Sequence, residues 1–246
     1  MKIHRLKLTK QKLAALPERE RTLLLLLGHA ANEINVFSKL ILMTRKGDPA
    51  STIIDRVEAG QTVIFLRMLV GKLHEAWRLF QKRVQADRQL YDRLVPQLET
   101  EEREALNALN RHFGQGSPLT AIRNKVSFHY TDDENLTETN FQQLPDDEPW
   151  DFYLASRGNS FYYASELVMQ MSATQLANSG GAPTNLDQAF KTLCDVAIET
   201  TRNLTCLFDG LIAVITMSIP DLEQPTTEEL PDGPELSRFS LPYFFE

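Results

Sequence analysis

Cysteine is nearly absent. Only Cys194 and Cys206 occur in 246 residues. If one helix holds both, they lie about 18 Å apart along its axis, too far for a bridge. That excludes a disulfide framework and points to a reducing compartment. No apolar run approaches the ~20 residues that span a bilayer. The leucine run Leu23–Leu27 is soon interrupted by His29, Asn32 and Glu33, and "LIAVITMSI" near the C-terminus covers nine residues. The opening "MKIHRLKLTKQKL" lacks the apolar stretch of a signal peptide. A cytoplasmic protein that does not engage membrane is therefore expected. A Gly-rich phosphate loop and a Gly-x-Ser-x-Gly elbow are both missing, which removes the case for nucleotide-hydrolysing or esterase chemistry. No Glu-x-x-His, His-Glu-x-x-His or paired-cysteine motif occurs, so neither a metal nor a cofactor is expected. Period-two alternation over strand length is also lacking, as are internal repeats.

What remains is helical and unevenly charged. Hydrophobic residues make up 42% of the chain, enough to bury a core. The net charge is −7, which argues against a general nucleic-acid binder, but the average hides a split. Residues 1–130 carry 22 Lys and Arg against 13 Asp and Glu, whereas residues 131–246 carry 4 against 20. The split is either an unevenly solvated surface or a basic face able to attract phosphate.

Apolar residues recur at steps of three and four from Pro17 to about Arg45, through Leu23, Leu27, Ala30, Ile34, Phe37 and Ile41. A second helix is expected from Asp48-Pro49 to about Val84, with Phe65, Leu69, Leu73 and Phe80 in its stripe. A third covers Glu99 to Phe113 and ends at Gly114. Ser117-Pro118 reads as the cap and first position of a fourth. Residues 131–158 are acidic and polar and read as a loop, with a short strand possible at "DFYLAS". Helix returns from Asn159 to about Ala177, stops at Gly180-Gly181, and resumes after Thr184 to about Ser218. Residues 219–246, with five of the twelve prolines, read as an acidic extended tail whose aromatic end (Phe239, Tyr243, Phe244, Phe245) docks on the body or a subunit. The expected fold is all-α: an antiparallel bundle of five or six helices in one domain over residues 1–218.

One segment hints at chemistry, "LTAIRNKVSFHYTDDEN" from Leu119 to Asn135. Arg123 offers a permanent planar charge that matches phosphate oxygens. His129 can move a proton near neutral pH. RNA carries its own nucleophile, the 2′-hydroxyl, so an Arg and a His suffice for cleavage without metal. Asn124 could position phosphate or imidazole, and Lys125 adds charge. On an ideal helix the six-residue step turns about 600°, leaving Arg123 and His129 about 120° apart. Either His129 lies where the helix frays, or the working pairs form across a dimer axis. Alternatively, Arg123 pairs with a carboxylate and His129 caps the helix's negative pole. A second Arg–His pair, Arg67 and His74, has Met68 after the Arg and sits inside a long helix.

"RNKVSFH" resembles the signature of the HEPN ribonucleases: Arg, four to six residues, then His, with a polar residue often Asn after the Arg. Here five residues separate Arg123 from His129, and Asn124 holds the polar place. "IRNKVSFHY" is most similar to the abortive-infection HEPN-like group. The resemblance implies a HEPN-like bundle, a homodimer with both motifs in one cleft, and metal-independent endoribonuclease activity leaving a cyclic phosphate. It implies a bacterial toxin or anti-phage setting, tRNA or other cellular RNA as substrate, and an antitoxin or sensor partner. Tyr130 directly follows His129, whereas the tyrosine modified in one toxin branch stands two places after its His. A non-catalytic HEPN-like scaffold binding RNA, nucleotide or a partner protein is the alternative, and a helical adaptor with an accidental motif is a third.

Two further groups stand out. His29 and Glu33 are four apart and share a helix face; with Asn32 they are candidate cleft-lining residues, or a buried hydrogen-bonded pair. Trp150, Phe152, Tyr153, Phe161, Tyr162 and Tyr163 crowd six aromatics into 14 residues, either to stack on bases or to serve as core and cover. The acidic half, or its tail, is also a candidate cover for the basic cleft.

Overall fold

Helix starts and stops are chemically marked along the chain. In the computed structural model, which describes residues 1–44, 53–114, 116–127, 134–144, 146, 150–156, 158–177, 186–232, 235, 239 and 241–244, Thr9 caps α1 (Lys10–Ala14) by accepting from the Lys12 amide. Pro17 precedes α2 (Glu18–Thr44), whose first turn holds Glu18 and Glu20 near the positive pole. α3 (Ile53–Phe80) runs on into a π-helical turn, Gln81–Gln85. Asp87 caps α4 (Arg88–Leu94), and Pro96 sits in the tight turn that follows. Then come α5 (Thr100–Gly114), α6 (Pro118–Ile122), a second π-helical turn (Arg123–Ser127), α7 (Glu134–Gln143), α8 (Tyr163–Ala177) and α9 (Leu186–Met217). Among the described residues there are nine α-helices, five of them with fifteen residues or more.

The fold is mostly helical, as expected, with two corrections. Residues 134–143, expected as loop, form α7. The chain also has a two-stranded antiparallel sheet: β1 (Lys2–Arg5) pairs with β2 (Thr226–Glu229), with Lys2 opposite Glu229 and Arg5 opposite Thr226. Part of the extended tail is thus a strand. Tyr153 and Phe161 exchange backbone hydrogen bonds in an isolated bridge within the "DFYLAS" region. The Gly180-Gly181 stop, Thr184 and Phe245 lie outside the described residues.

The chain forms two compact units. The first comprises Met1–Glu33, Glu75–Arg111 and Arg202–Phe239. Its interior is aliphatic and aromatic: Leu23, Leu27, Leu94, Leu109 and Phe208 are buried, and Trp77 stacks on Phe80 at 5.2 Å between ring centres. The sheet is tied by Arg5–Glu228 at 3.0 Å and by the N-terminal ammonium to Asp232 at 2.8 Å. Glu20 is buried and pairs with Arg93.

The second unit comprises Ile34–His74, His112–Thr201 and Ser240–Glu246. Here α6, the π-helical turn after it and α7 pack on α8. α8 is buried through Met171, Ser172, Ala173 and Thr174. Asn140 of α7 donates to the Ser172 hydroxyl at 3.1 Å, and Ser172 donates to the Val168 carbonyl at 2.8 Å. Phe161 lies so close to Gly60 of α3 that a Cβ there would stand 2.6 Å from the ring. Of the tail's aromatic end, Tyr243 docks as expected: its hydroxyl donates to the Ser160 carbonyl at 2.6 Å, and its ring meets Phe161 edge to face, whereas Phe239 is exposed.

Candidate functional site

The helix bearing the motif begins where the sequence predicts. Ser117 caps α6, its hydroxyl oxygen accepting from the Leu119 amide at 3.2 Å, and Pro118 takes the first turn. The same hydroxyl lies 2.8 Å from His112 Nε2. Burial lowers the His112 pKa, with Glu199 opposing. A neutral imidazole can accept a hydrogen bond from the Ser117 hydroxyl through Nε2 while the oxygen still caps the helix.

Leu119, Ile122 and Val126 face inward and are buried. Ser127 donates to the Arg67 carbonyl at 2.8 Å, pinning the end of the segment to α3. Between these anchors the backbone widens into the π-helical turn Arg123–Ser127. Such turns are rare and recur at functional sites. Arg123 and Lys125 are half-buried and Asn124 is exposed. Arg123 Nη1 donates to Asn124 Oδ1 at 3.0 Å. That bond engages the side-chain acceptor of Asn124, an exposed residue whose amide nitrogen is itself a donor. A guanidinium and an amide N–H₂ are then adjacent donors, the chemistry that suits a phosphate. His129 and Tyr130 lie outside the described residues.

The second Arg–His pair has a structural role. Arg67 and His74 are both buried on α3, and Arg67 Nη2 meets Glu166 Oε2 of α8 at 2.6 Å. Burial raises the Glu166 pKa, and Arg67 pulls it back. Nothing in the sequence singles out Glu166 as this partner.

The expected buried pair on α2 is corrected. His29 Nε2 is 3.7 Å from Glu33 Oε2, but the His29 side chain is 70% exposed. Asn32 is exposed as well. The buried stripe of α2 runs through Leu23, Leu27 and Ile34, and His29 falls off it. His29, Asn32 and Glu33 belong to the first unit and the Arg123 turn to the second. Both cysteines are on α9 and neither is in a disulfide. Among the described residues no three His, Cys, Asp or Glu gather as a metal site, and no helix is long and apolar enough to cross a membrane. The aromatic-rich segment divides: Phe161 is buried, while Trp150, Phe152 and Tyr162 are exposed.

In comparisons with known proteins, the chain matches no family model, no curated protein and no solved structure.

Proposed function

We propose that this protein is a metal-independent endoribonuclease of the HEPN type, acting as a cytoplasmic homodimer in a bacterial toxin or anti-phage role. The observation that carries the reading is the Arg123–Asn124 donor pair on a π-helical turn, opening the Arg-x5-His motif. Arg123 holds the charge that builds on phosphorus, with Asn124 and Lys125 supporting it. His129 takes the 2′-hydroxyl proton or gives one to the 5′-leaving oxygen. The new bond joins the 2′-oxygen to phosphorus and the bond to the 5′-oxygen breaks. The products are a cyclic phosphate and a 5′-hydroxyl.

The test is cleavage of total RNA and tRNA in EDTA. Cutting should survive chelation. It should fall about 10²–10⁴-fold in His129→Ala and about 10²–10³-fold in Arg123→Ala. A well-folded wild type that binds RNA without cutting would replace this reading with the binding scaffold. Deleting residues 220–246 is a poor test of a tail acting as cover, because it also removes β2 and the Tyr243 contact. Tyr243→Ala is cleaner.

A further inference from the structure

The second unit carries an exposed aromatic face that the ribonuclease reading does not use. At Tyr153 the chain pairs antiparallel with Phe161 in an isolated bridge. Successive residues of an extended segment point to opposite sides. Phe152 and Leu154, on either side of Tyr153, therefore share one side. Phe141 of α7 packs against Trp150 at 5.1 Å, and Tyr162 meets Phe152 edge to face at 5.1 Å. These five side chains are 37% to 74% exposed. A cluster of this size marks an interaction surface more readily than scattered exposed residues do.

Its electrostatics select the partner. Glu138, Asp146 and Asp151 are exposed in the same stretch of chain. The described residues from Glu134 to Tyr163 include no Lys or Arg; Arg157 lies outside them. The stretch also already holds one guanidinium. Arg56 of α3 reaches Asp151 at 3.8 Å and donates a hydrogen bond to the Tyr153 hydroxyl oxygen, the largest of the causes that raise its pKa. Aromatic faces attract cations, and Arg stacks on them best among side chains. Unpaired bases also stack on such rings, but their phosphates would meet these carboxylates.

We infer that the face formed by Phe141, Trp150, Phe152, Leu154 and Tyr162 is a docking surface for a cationic, arginine-containing segment of a partner protein. The rings take the apolar residues and the guanidinium planes, and the carboxylates take the charge. This inference stands apart from the ribonuclease reading, and neither fails with the other.

Trp150 supplies the measurement, because the other tryptophan, Trp77, is buried. The full-length protein is titrated with a short alternating Arg-Leu peptide while tryptophan emission is followed. The controls are Glu-Leu and Ser-Leu peptides and an oligouridylate. A saturable response to Arg-Leu is expected, weakened by added salt and absent with Glu-Leu. Phe152→Ala and Leu154→Ser change exposed residues, so folding is retained; each should weaken binding about tenfold, as truncating an interface anchor does. Trp150→Phe should abolish the signal while calorimetry still detects binding. No saturable response to Arg-Leu, equal binding of Ser-Leu, or indifference to Phe152→Ala would overturn the proposal. A response to oligouridylate in place of Arg-Leu would overturn it in favour of a nucleic-acid surface.

Discussion

The two compact units differ in what fills them. Ten buried polar or charged residues occur among the described residues, and eight belong to the second unit: Thr44, Arg67, His74, Ser117, Asn140, Ser172, Thr174 and Thr200. The other two of these ten, Glu20 and Thr216, belong to the first unit. An apolar interior tolerates repacking, because neighbouring side chains adjust. A polar interior is less forgiving, because each group left without its partner costs about 1–3 kcal/mol. The unit holding the Arg123 turn is thus the one whose geometry depends on specific pairings. Buried polar groups fix one arrangement of α3, α6, α7 and α8, and that arrangement sets where the turn stands. Departures from an apolar interior collect where function needs a fixed geometry.

The most severe test of this contrast is Arg67→Met. It leaves the half-buried Glu166 without its guanidinium and should cost about 3 kcal/mol in urea unfolding. Replacing Glu166 by Met as well should recover most of that loss, because an apolar pair fills the same space. The pH dependence carries a sign. Burial raises Glu166 above its ordinary 4.5, and Arg67 lowers it. A raised carboxyl contributes stability that is present below 4.5 and lost as pH rises through the folded-state value. Without Arg67 that value moves higher, so the cost of Arg67→Met should grow as pH rises above 4.5. A cost below about 1 kcal/mol that does not vary with pH would place Arg67–Glu166 among weak surface pairs and erase the contrast.

Close packing gives the next comparison. A Cβ at Gly60 would stand 2.6 Å from the tip of the Phe161 ring, whose side chain is 3% exposed. A rigid ring yields less easily than a flexible chain end, so Gly60→Ala should destabilise by about 1–3 kcal/mol. Gly28 of α2, in the first unit, has nothing within 4 Å of the same position. There the gain in helix propensity acts alone, and Gly28→Ala should stabilise by about 0.5–1 kcal/mol. Opposite signs in thermal melts would support the model of a tightly constrained second unit; a common sign would count against it.

How much of this was legible depends on the range of the interaction. The long helices were readable because their causes are local: three-and-four spacing along α2 and α3, the Ser117-Pro118 start of α6, and Gly114 at the end of α5. α7 was missed because Glu134–Gln143 is largely polar, and its Asn140 contact to Ser172 is tertiary. β1 and β2 were missed for a similar reason. "KIHR" and "TTEE" are four-residue, charge-rich strands that become a sheet only when distant termini meet. At the site, Arg123 and Asn124 were legible as residue types, but the π-helical turn that places them has no sequence signal comparable to a cap. Arg67–Glu166 spans 99 positions and was invisible from either end.

A smaller effect is expected at the start of the motif helix. Ser117→Ala removes the α6 cap and the His112 contact together, and should cost about 0.5–2 kcal/mol. Burial holds His112 below its ordinary 6.5, with Glu199 opposing. A depressed imidazole contributes stability that is present above 6.5 and lost as pH falls through the folded-state value. Wild-type stability should therefore decline below 6.5, and His112→Gln should flatten that decline. An unchanged pH profile in His112→Gln would show that the partner of buried Ser117 adds nothing to the polar interior that distinguishes the second unit.

The smallest expected effect belongs to the first unit. Arg19 Nη1 meets Asp87 Oδ2 at 3.0 Å, but the Arg19 side chain is 71% exposed. Water competes for both charges, and ordering the long side chain opposes the attraction, so Arg19→Ala should cost less than about 0.5 kcal/mol. Asp87 has a second task, since its other oxygen accepts from Leu90 N and caps α4. Asp87→Ala should therefore cost about 1 kcal/mol, whether or not Arg19 is present. A double-mutant cycle separates cap from ion pair, because only the pair appears as coupling. Coupling under about 0.5 kcal/mol leaves apolar packing as the main source of stability in this unit. Coupling above about 1 kcal/mol would show that surface charge also holds it together, and the two units would differ less than their interiors suggest.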